Sequence, residues 1–183
     1  TIALEITPTT VQLLRDLDDR QVEELNEQFE RDRQEREDKY LKPPLDQQID
    51  KRTDRMQERV EQWLGNITAA QRQRIHEWAE ALNKQNQLWL DNRAQWQRSM
   101  VDAVRNRDQA NFDERIARLL QDREVYWTAP YRAAFPAVEQ ATIDLIVDLY
   151  DTADATQRRH INERLQDMRR DLGSLDCLPA TAD

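Results

Sequence analysis

The stretch from Trp63 to Ala79 contains the signals that end one helix and begin another. Gly65 stands where a helix favours a left-handed closing residue, a conformation that glycine adopts without steric cost. Thr68 follows as a candidate N-cap, and the side chain of Gln71, three residues later, can accept a hydrogen bond from the Thr68 amide. This reciprocal arrangement is a capping box. The stretch therefore predicts a helix–turn–helix junction.

The composition extends this prediction to the whole chain. Its 183 residues include only 2 glycines and 6 prolines, and 34% are charged, which suits helices and leaves few turn residues for a sheet. The 38% of hydrophobic residues can form only a thin core. We therefore expect an all-α single domain of about six or seven amphipathic helices in an antiparallel bundle, which can be elongated. The helical domain is predicted over residues 1–173, with a frayed tail at 174–183.

Two other helix starts share the pattern of the first. In all three, an aliphatic residue follows seven positions after the cap and a glutamate follows nine after it. The predicted capping residues, which have a structural role, are Asp18, Gln21, Thr68, Gln71, Asp154 and Gln157. The similarity is consistent with an internal repeat, but any well-capped amphipathic helix can show it by chance.

The motifs around these starts resemble two protein groups. An apolar residue followed by Thr-x-x-Gln resembles the LTxxQ motif of small helical periplasmic proteins, the Spy and CpxP group. A closer resemblance, to an uncharacterised family of proteobacterial envelope lipoproteins known only as a domain of unknown function, covers most of residues 10–172. It is carried by Asp50–Gly65 with its Trp-Leu-Gly end, by Leu88-Trp-Leu-x-x-Arg93-x-x-Trp96, and by Phe112-x-x-Arg115-x-x-x-Leu119.

The closer resemblance implies a periplasmic protein, held at the outer membrane by a lipidated N-terminal cysteine that would lie upstream of this chain. It supplies no catalytic residue, because the family has no established activity. The chaperone role of the LTxxQ proteins is a weaker implication, since Asp replaces Thr in two of the boxes and the net charge is −9. The chain begins with Thr1 rather than Met, which is typical of a processed or trimmed product.

Charge and cysteine content limit the partners and the compartment. The acidic net charge, with acidic residues interleaved among the arginines, argues against a nucleic-acid partner. No apolar run approaches the 18 residues of a membrane span, so we expect membrane contact only through the lipid anchor. The single cysteine, Cys177, cannot form an intramolecular disulfide, which is compatible with either a reducing compartment or the periplasm.

The reactive residues show no arrangement typical of an enzyme. His76 and His160 belong to no H-E-x-x-H motif, and Gln73 and Gln157 stand where a di-iron bundle needs glutamate. The two serines, Ser99 and Ser174, lie in no triad context, and no glycine-rich loop is present to hold a phosphate. We therefore expect a non-enzymatic protein without metal or cofactor. A hydrolase that uses paired carboxylates remains an alternative, and it predicts a deep pocket lined by Asp or Glu.

The five tryptophans offer the remaining candidate site. They are Trp63, Trp78, Trp89, Trp96 and Trp127. Most lie on or beside apolar stripes, so core packing explains them most simply. Trp89 and Trp96, seven residues apart and on the same face as Met100, are our candidates for aromatics that bind a partner.

Three local patterns lead to further expectations. Thr7 and Pro8 predict a helix start, and Asp108 predicts another cap. Residues 30–39 lose their apolar period and are almost all charged, which favours a helix projecting into water over a disordered linker. The stripe Ile161, Leu165, Met168 and Leu172 predicts a final helix that ends at Gly173.

Together these patterns favour a periplasmic helical lipoprotein domain that binds, scaffolds or chaperones another protein. The partner is unknown, and a homo-oligomer is compatible with the pattern. The alternative is a cytoplasmic helical adaptor or coiled-coil interaction protein.

Overall fold

The computed structural model describes residues 2–175, which form eight α-helices and one short 3-10 helix. The helices are α1 (Ile2–Arg15), α2 (Asp19–Tyr40), α3 (Leu45–Leu64), α4 (Ala69–Ala81), α5 (Gln85–Arg105), α6 (Phe112–Gln121), α7 (Ala129–Asp151) and α8 (Ala155–Leu175). The 3-10 helix, Arg123–Tyr126, precedes α7. No strand occurs between residues 2 and 175. The prediction of an all-α protein is confirmed, although the helices number eight rather than six or seven.

The helices form two compact units. In the described part of the chain, unit 1 contains residues 2–48 and 84–138, and unit 2 contains residues 49–83 and 139–175. The chain therefore passes from unit 1 to unit 2 twice, once within α3 and once within α7.

The core of unit 1 comes from three helices. Its buried side chains are Val22 from α2, Met100, Ala103 and Val104 from α5, and Phe112, Ile116 and Leu119 from α6. Apolar residues of α1 pack against this cluster, as does Trp96. The 3-4 spacing of the α6 residues places them on one face, and that face is the one that the structure buries.

The charged stretch of α2 does not project into water. It is helical as expected, but Asp32 accepts hydrogen bonds from Arg93 and Gln97 of α5, at 3.0 and 3.1 Å. Arg36, four residues after Asp32, binds the same carboxylate at 2.8 Å. Because the contacts that this charged stretch makes with α5 are polar, hydrophobic periodicity did not reveal them.

In unit 2, the buried apolar residues lie around α4 and the end of α7. They include Leu64, Ile67, Ile75, Trp78, Leu145 and Leu149. The Trp78 indole donates to Thr142 Oγ1 at 3.3 Å, and Arg74 pairs with Asp148 at 2.7 Å. These bonds connect α4 to α7 within the unit.

Two predicted helix starts are wrong. Thr7 and Pro8 lie inside α1, where the Thr7 hydroxyl donates to the carbonyl of Ala3 at 2.6 Å rather than capping a new helix. Asp108 caps nothing, because α6 begins at Phe112 after Asn111, whose side chain makes no capping bond. Thr7 and Asp108 are both residue types that favour the N-cap position, but Thr7 lies inside a helix and Asp108 lies before the start of α6. Tertiary packing can override such a local preference.

The end of α8 also differs from the prediction. Gly173 lies within the helix, which continues to Leu175, so only Gly65 follows a helix end. The rest of the predicted tail, including Cys177, lies outside the described residues. The predicted final stripe is largely exposed rather than buried: Leu165, Met168 and Leu172 are 50%, 43% and 62% exposed.

Candidate functional site

The junction between α3 and α4 has the geometry of a complete capping box. The Thr68 amide donates to Gln71 Oε1 at 2.9 Å, and the Gln71 amide donates to Thr68 Oγ1 at 3.2 Å. Gly65, with a φ of 72°, ends α3 in the left-handed region. These local bonds satisfy two amides at the N-terminus of α4, and they explain why Thr and Gln stand three residues apart.

The start of α8 has the same box and lies against the first one. The Asp154 amide donates to Gln157 Oε1 at 3.1 Å, and the Gln157 amide donates to Asp154 Oδ1 at 2.8 Å. The two glutamine side chains then exchange hydrogen bonds. Gln71 Nε2 donates to Gln157 Oε1 at 3.1 Å, and Gln157 Nε2 donates to Gln71 Oε1 at 2.9 Å. The two boxes of unit 2 thus form one paired junction.

The paired junction uses almost every polar position of the two amides. Gln157 Nε2 also donates to the carbonyl of Asn66 at 2.8 Å, so this side chain makes two donor and two acceptor contacts. Gln71 and Gln157 are 2% and 3% exposed. A buried amide with all its groups bonded is stable, whereas a carboxylate could accept but not donate here.

The third box, at the start of α2, stands alone. Asp18 and Gln21 exchange the same two bonds, at 2.9 and 2.8 Å, but both side chains are exposed. The sequence pattern therefore marks three helix starts, while only two of them meet.

Trp89 is half-buried and lies against α2. Its ring makes an edge contact with Tyr40, with the centroids 5.8 Å apart. The Arg36 guanidinium lies 5.7 Å from the indole centroid, which is within cation–π range. The Trp89 ring therefore packs against two residues of α2, the aromatic ring of Tyr40 and the guanidinium of Arg36.

Trp96 is tied to the core of unit 1 from several sides. Its indole N–H donates to the carbonyl of Leu119 at 2.8 Å, and its ring makes an edge contact with Phe29 at 6.3 Å. Arg123 lies over the ring at 5.8 Å. The two candidate aromatics, Trp89 and Trp96, therefore lie on the same helix but have separate packing roles in unit 1.

Asp32, in unit 1, is a carboxylate that accepts hydrogen bonds from three side chains. Its side chain is 23% exposed, and it accepts from Arg36, Arg93 and Gln97. Burial disfavours its charged form, but the hydrogen bonds and positive charges of Arg93 and Arg36 outweigh burial and lower the pKa of Asp32 below its ordinary value. This carboxylate is therefore held ionised, which suits an ion-pair hub and not a general acid.

Arg52 is a buried cation that the sequence analysis missed. It is 5% exposed, and its guanidinium donates to the carbonyls of Ala79 and Asn83 at 2.6 and 3.2 Å, at and just beyond the end of α4. Burial, with the like charge of Arg55, lowers the pKa of Arg52. Arg52 follows Ile49 by three residues and precedes Met56 by four, so its place on the apolar stripe of α3 was the available signal.

The second half of α7 exposes an apolar stripe. Ile143, Ile146, Val147 and Tyr150 are between 47% and 60% exposed. Their spacing of three and four residues puts them on one helix face, while Leu145 and Leu149, towards the opposite side of the helix, are buried. We call the exposed set the α7 face. Glu139, Asp144 and Asp151, all exposed, stand before, within and after it in sequence.

Two of the carboxylates that line cavities, Asp148 and Glu30, are paired with arginines and are exposed. Asp148 and Asp151 line a cavity of about 290 Å³ in unit 2, but Asp148 is 51% exposed and paired with Arg74. In unit 1, Glu30 lines a cavity of about 20 Å³ and pairs with Arg33 at 2.5 Å. Across the described part of the chain, no group of three or more His, Cys, Asp and Glu residues is placed to hold a metal ion.

No helix in residues 2–175 is both long and apolar enough to cross a membrane.

Comparisons with known proteins provide one match. No curated protein matches the chain, and no solved structure matches it. A family model described as a family of unknown function, DUF6279, matches residues 1–132, which include all of unit 1 up to its last few residues and the α3–α4 junction of unit 2. The chain belongs to this family of unknown function.

Proposed function

We propose that this protein is a non-enzymatic helical module that binds other polypeptides, in the manner of a chaperone or scaffold, through the α7 face. The single observation that carries the proposal is the exposure of Ile143, Ile146, Val147 and Tyr150 on one side of a helix whose opposite side holds the buried Leu145 and Leu149. Contiguous exposed apolar residues on a soluble protein often mark a binding surface.

The surroundings of the α7 face indicate the chemistry of its partner. In sequence, the exposed acidic residues Glu139, Asp144 and Asp151 stand before, within and after the apolar stripe, and the chain carries a net charge of −9. One cation also contacts the stripe, since the Arg158 guanidinium lies 4.9 Å from the Tyr150 ring centroid. Opposite charges around an apolar centre favour encounter with a basic partner. The proposed occupant is an extended or non-native polypeptide segment with apolar residues flanked by lysine or arginine.

An aggregation-suppression assay tests this proposal. The chain is mixed at stoichiometric ratio with a basic, chemically unfolded client, and light scattering is followed on dilution. We expect the wild-type chain to suppress scattering, and the variant Ile146→Gln with Val147→Gln to lose most of that effect. Because both residues are exposed, the substitutions leave the core untouched. Ala137→Gln, at an exposed position on the same helix, is the matched control.

Two results would contradict the proposal. The first is the absence of protection by the wild-type chain at stoichiometric ratio. The second is equal protection by the wild-type chain and the double variant, which would place binding elsewhere. An acidic client of similar size should be protected less at low salt, and added salt should reduce the difference because it screens surface charge.

We further propose that the module works at the cell envelope as a lipid-anchored protein of the periplasm, as the resemblance to envelope lipoproteins implies. The coding sequence upstream of Thr1 tests this directly. A signal peptide that ends in a lipobox cysteine supports the proposal, while a plain Met start a few residues before Thr1 eliminates it in favour of the cytoplasmic adaptor. Incorporation of labelled palmitate into the full-length protein provides the biochemical check.

Two features support a role without catalysis. The cavity-lining carboxylates Asp148 and Glu30 are paired with arginines at the surface. Hydrogen bonds from Arg105 to Glu23 and from Lys42 to Asp38 lower the pKa values of these two carboxyls below the ordinary ones. At Asp32 burial raises the pKa, but the hydrogen bonds and positive charges of Arg93 and Arg36 together outweigh burial, so this pKa is lowered as well. A general acid at neutral pH needs the opposite shift.

A further inference from the structure

The apolar stripe of α8 has the spacing of a coiled-coil seam. Ile161, Leu165, Met168 and Leu172 follow one another at intervals of four, three and four residues. Ile161 is half-buried near the paired junction, and the other three are 43% to 62% exposed. We call these four residues the α8 seam. An amphipathic helix of unit 2 thus presents an uncovered seam long enough for two heptads.

The seam assigns the neighbouring residues to heptad positions. Leu165 and Leu172 take the a positions, and Ile161 and Met168 take the d positions. The flanking g positions are then Arg164 and Asp171, and the flanking e positions are Asn162 and Arg169. Residues at e and g border the seam in a two-helix coiled coil, and their charges decide partner and orientation.

These charges are complementary for an antiparallel pair of identical helices. In that arrangement Leu165 packs against Met168 of the other copy, and the g positions face each other. Arg164 of each copy then lies beside Asp171 of the other, and the two-fold symmetry forms this ion pair twice. In a parallel pair, Arg164 would instead face Arg169 of the other copy, and like charges would oppose each other.

We propose that the α8 seam binds the α8 seam of a second copy of this chain, with the two helices antiparallel. The single side chain Arg164 favours one orientation by attraction and disfavours the other by repulsion. The seam covers only two heptads, so the dimer is expected to be weak and to exchange with monomer at micromolar concentration. This inference goes beyond the proposed function, which uses the α7 face.

Sedimentation equilibrium over a range of concentrations, under reducing conditions, tests the proposal. We expect the mass to rise from the 21.8 kDa of one chain towards twice that value. Leu165→Gln with Leu172→Gln should remain monomeric throughout. Both positions are exposed in the single chain, so circular dichroism should show unchanged helicity for this variant.

Charge reversal tests the orientation. Arg164→Asp alone, or Asp171→Arg alone, should weaken the dimer by about tenfold, and the double reversal should restore it. The matched control is Glu163→Arg, a charge reversal on the outward side of the same helix, which should leave the dissociation constant unchanged.

Three outcomes would overturn the inference. A chain that stays monomeric up to the highest concentration excludes self-association through α8. A double Leu→Gln variant that still dimerises places the interface elsewhere. A stronger dimer for Arg164→Asp, which removes the Arg164–Arg169 repulsion, shows a parallel arrangement. None of these results bears on client protection by the α7 face, which the Ile146 and Val147 variants report separately.

Discussion

Gln71 and Gln157 exchange two side-chain hydrogen bonds, of 3.1 and 2.9 Å, although they are separated by 86 positions in the chain. Each glutamine also closes its own capping box by accepting from a backbone amide, that of Thr68 or that of Asp154. The same residue type therefore performs a local and a long-range task. The local task tolerates glutamate, whereas the long-range one requires an amide that can both donate and accept.

This double role predicts different costs for the same substitution at two boxes. Gln157→Glu keeps an acceptor for the Asp154 amide but removes the donor to Asn66 and Gln71, leaving a buried carboxylate near carbonyl oxygens. We expect the free energy of unfolding to fall by about 1–3 kcal/mol, or more because the new group is charged. Urea denaturation at neutral pH measures the change.

The exposed third box supplies the control for this substitution. Gln21→Glu removes no long-range bond, and a negative charge near a helix N-terminus is favourable, so the unfolding free energy should change by less than about 0.5 kcal/mol. Equal losses at both positions would show that the Gln71–Gln157 bonds contribute nothing beyond capping.

The two glycines are expected to respond to alanine in opposite directions. Gly65 has a φ of 72°, so Gly65→Ala introduces backbone strain, although the nearest side-chain atom, His160 Cγ, would lie at an ordinary 3.9 Å. We expect a loss of about 1 kcal/mol. Gly173 lies inside α8 with nothing within 4 Å of an added Cβ, so Gly173→Ala should raise helicity, contributing up to about 1 kcal/mol.

Thermal unfolding and the far-ultraviolet circular dichroism of both variants provide the comparison. If Gly173→Ala left the helicity unchanged or lowered it, the placement of Gly173 within α8 would be contradicted.

Asp32 predicts a pH-dependent contribution to the stability of unit 1. Because Arg93 and Arg36 lower its pKa in the folded state against the opposing effect of burial, the carboxylate stabilises the fold above its unfolded-state pKa of about 4. That stabilisation is lost as the pH falls through the lowered folded-state value. Asp32→Asn should therefore cost about 1–2 kcal/mol at neutral pH and progressively less below pH ~4.

Urea titrations of the wild type and Asp32→Asn across this acidic range measure the difference. Glu35→Gln, at an exposed position one turn along α2, serves as the control and should change stability little at any pH. A constant difference between wild type and Asp32→Asn down to pH ~2 would exclude titration of Asp32 as its source.

Substitution of Arg52 is expected to lower the free energy of unfolding more than substitution of an exposed arginine, because Arg52 is buried. Arg52→Met retains much of the side-chain volume but removes the donors to the Ala79 and Asn83 carbonyls at the end of α4. The carbonyl of Ala79, a buried residue, loses its donor, and a buried acceptor left without a donor costs about 1–3 kcal/mol, which urea denaturation will detect. Arg59→Met, at an exposed position seven residues later on α3, is the matched control. A loss no greater than that of the control would show that Arg52 contributes only packing.

Local chemistry allowed the helix starts at Asp18, Thr68 and Asp154 to be predicted, because a capping box forms between residues three positions apart. It failed where a good capping residue was overruled, at Thr7 and Asp108, and where polar contacts join helices, as at Asp32. Periodicity also predicted the apolar stripe of α8 correctly as one helix face. It could not say that Leu165 and Leu172 are 50% and 62% exposed.

The sequence by itself determined the all-helical class and the capping boxes at Asp18, Thr68 and Asp154, because a capping box depends on hydrogen bonds between residues three positions apart. Only the tertiary structure decided that the boxes at Thr68 and Asp154 meet through Gln71 and Gln157, while the box at Asp18 remains exposed. The physical reason is that a capping box satisfies backbone amides locally and is the same in any surroundings. The second role, pairing with another box, requires that two helix ends lie side by side. The packing of buried apolar residues, such as Ile75 and Leu145, decides which helix ends do so.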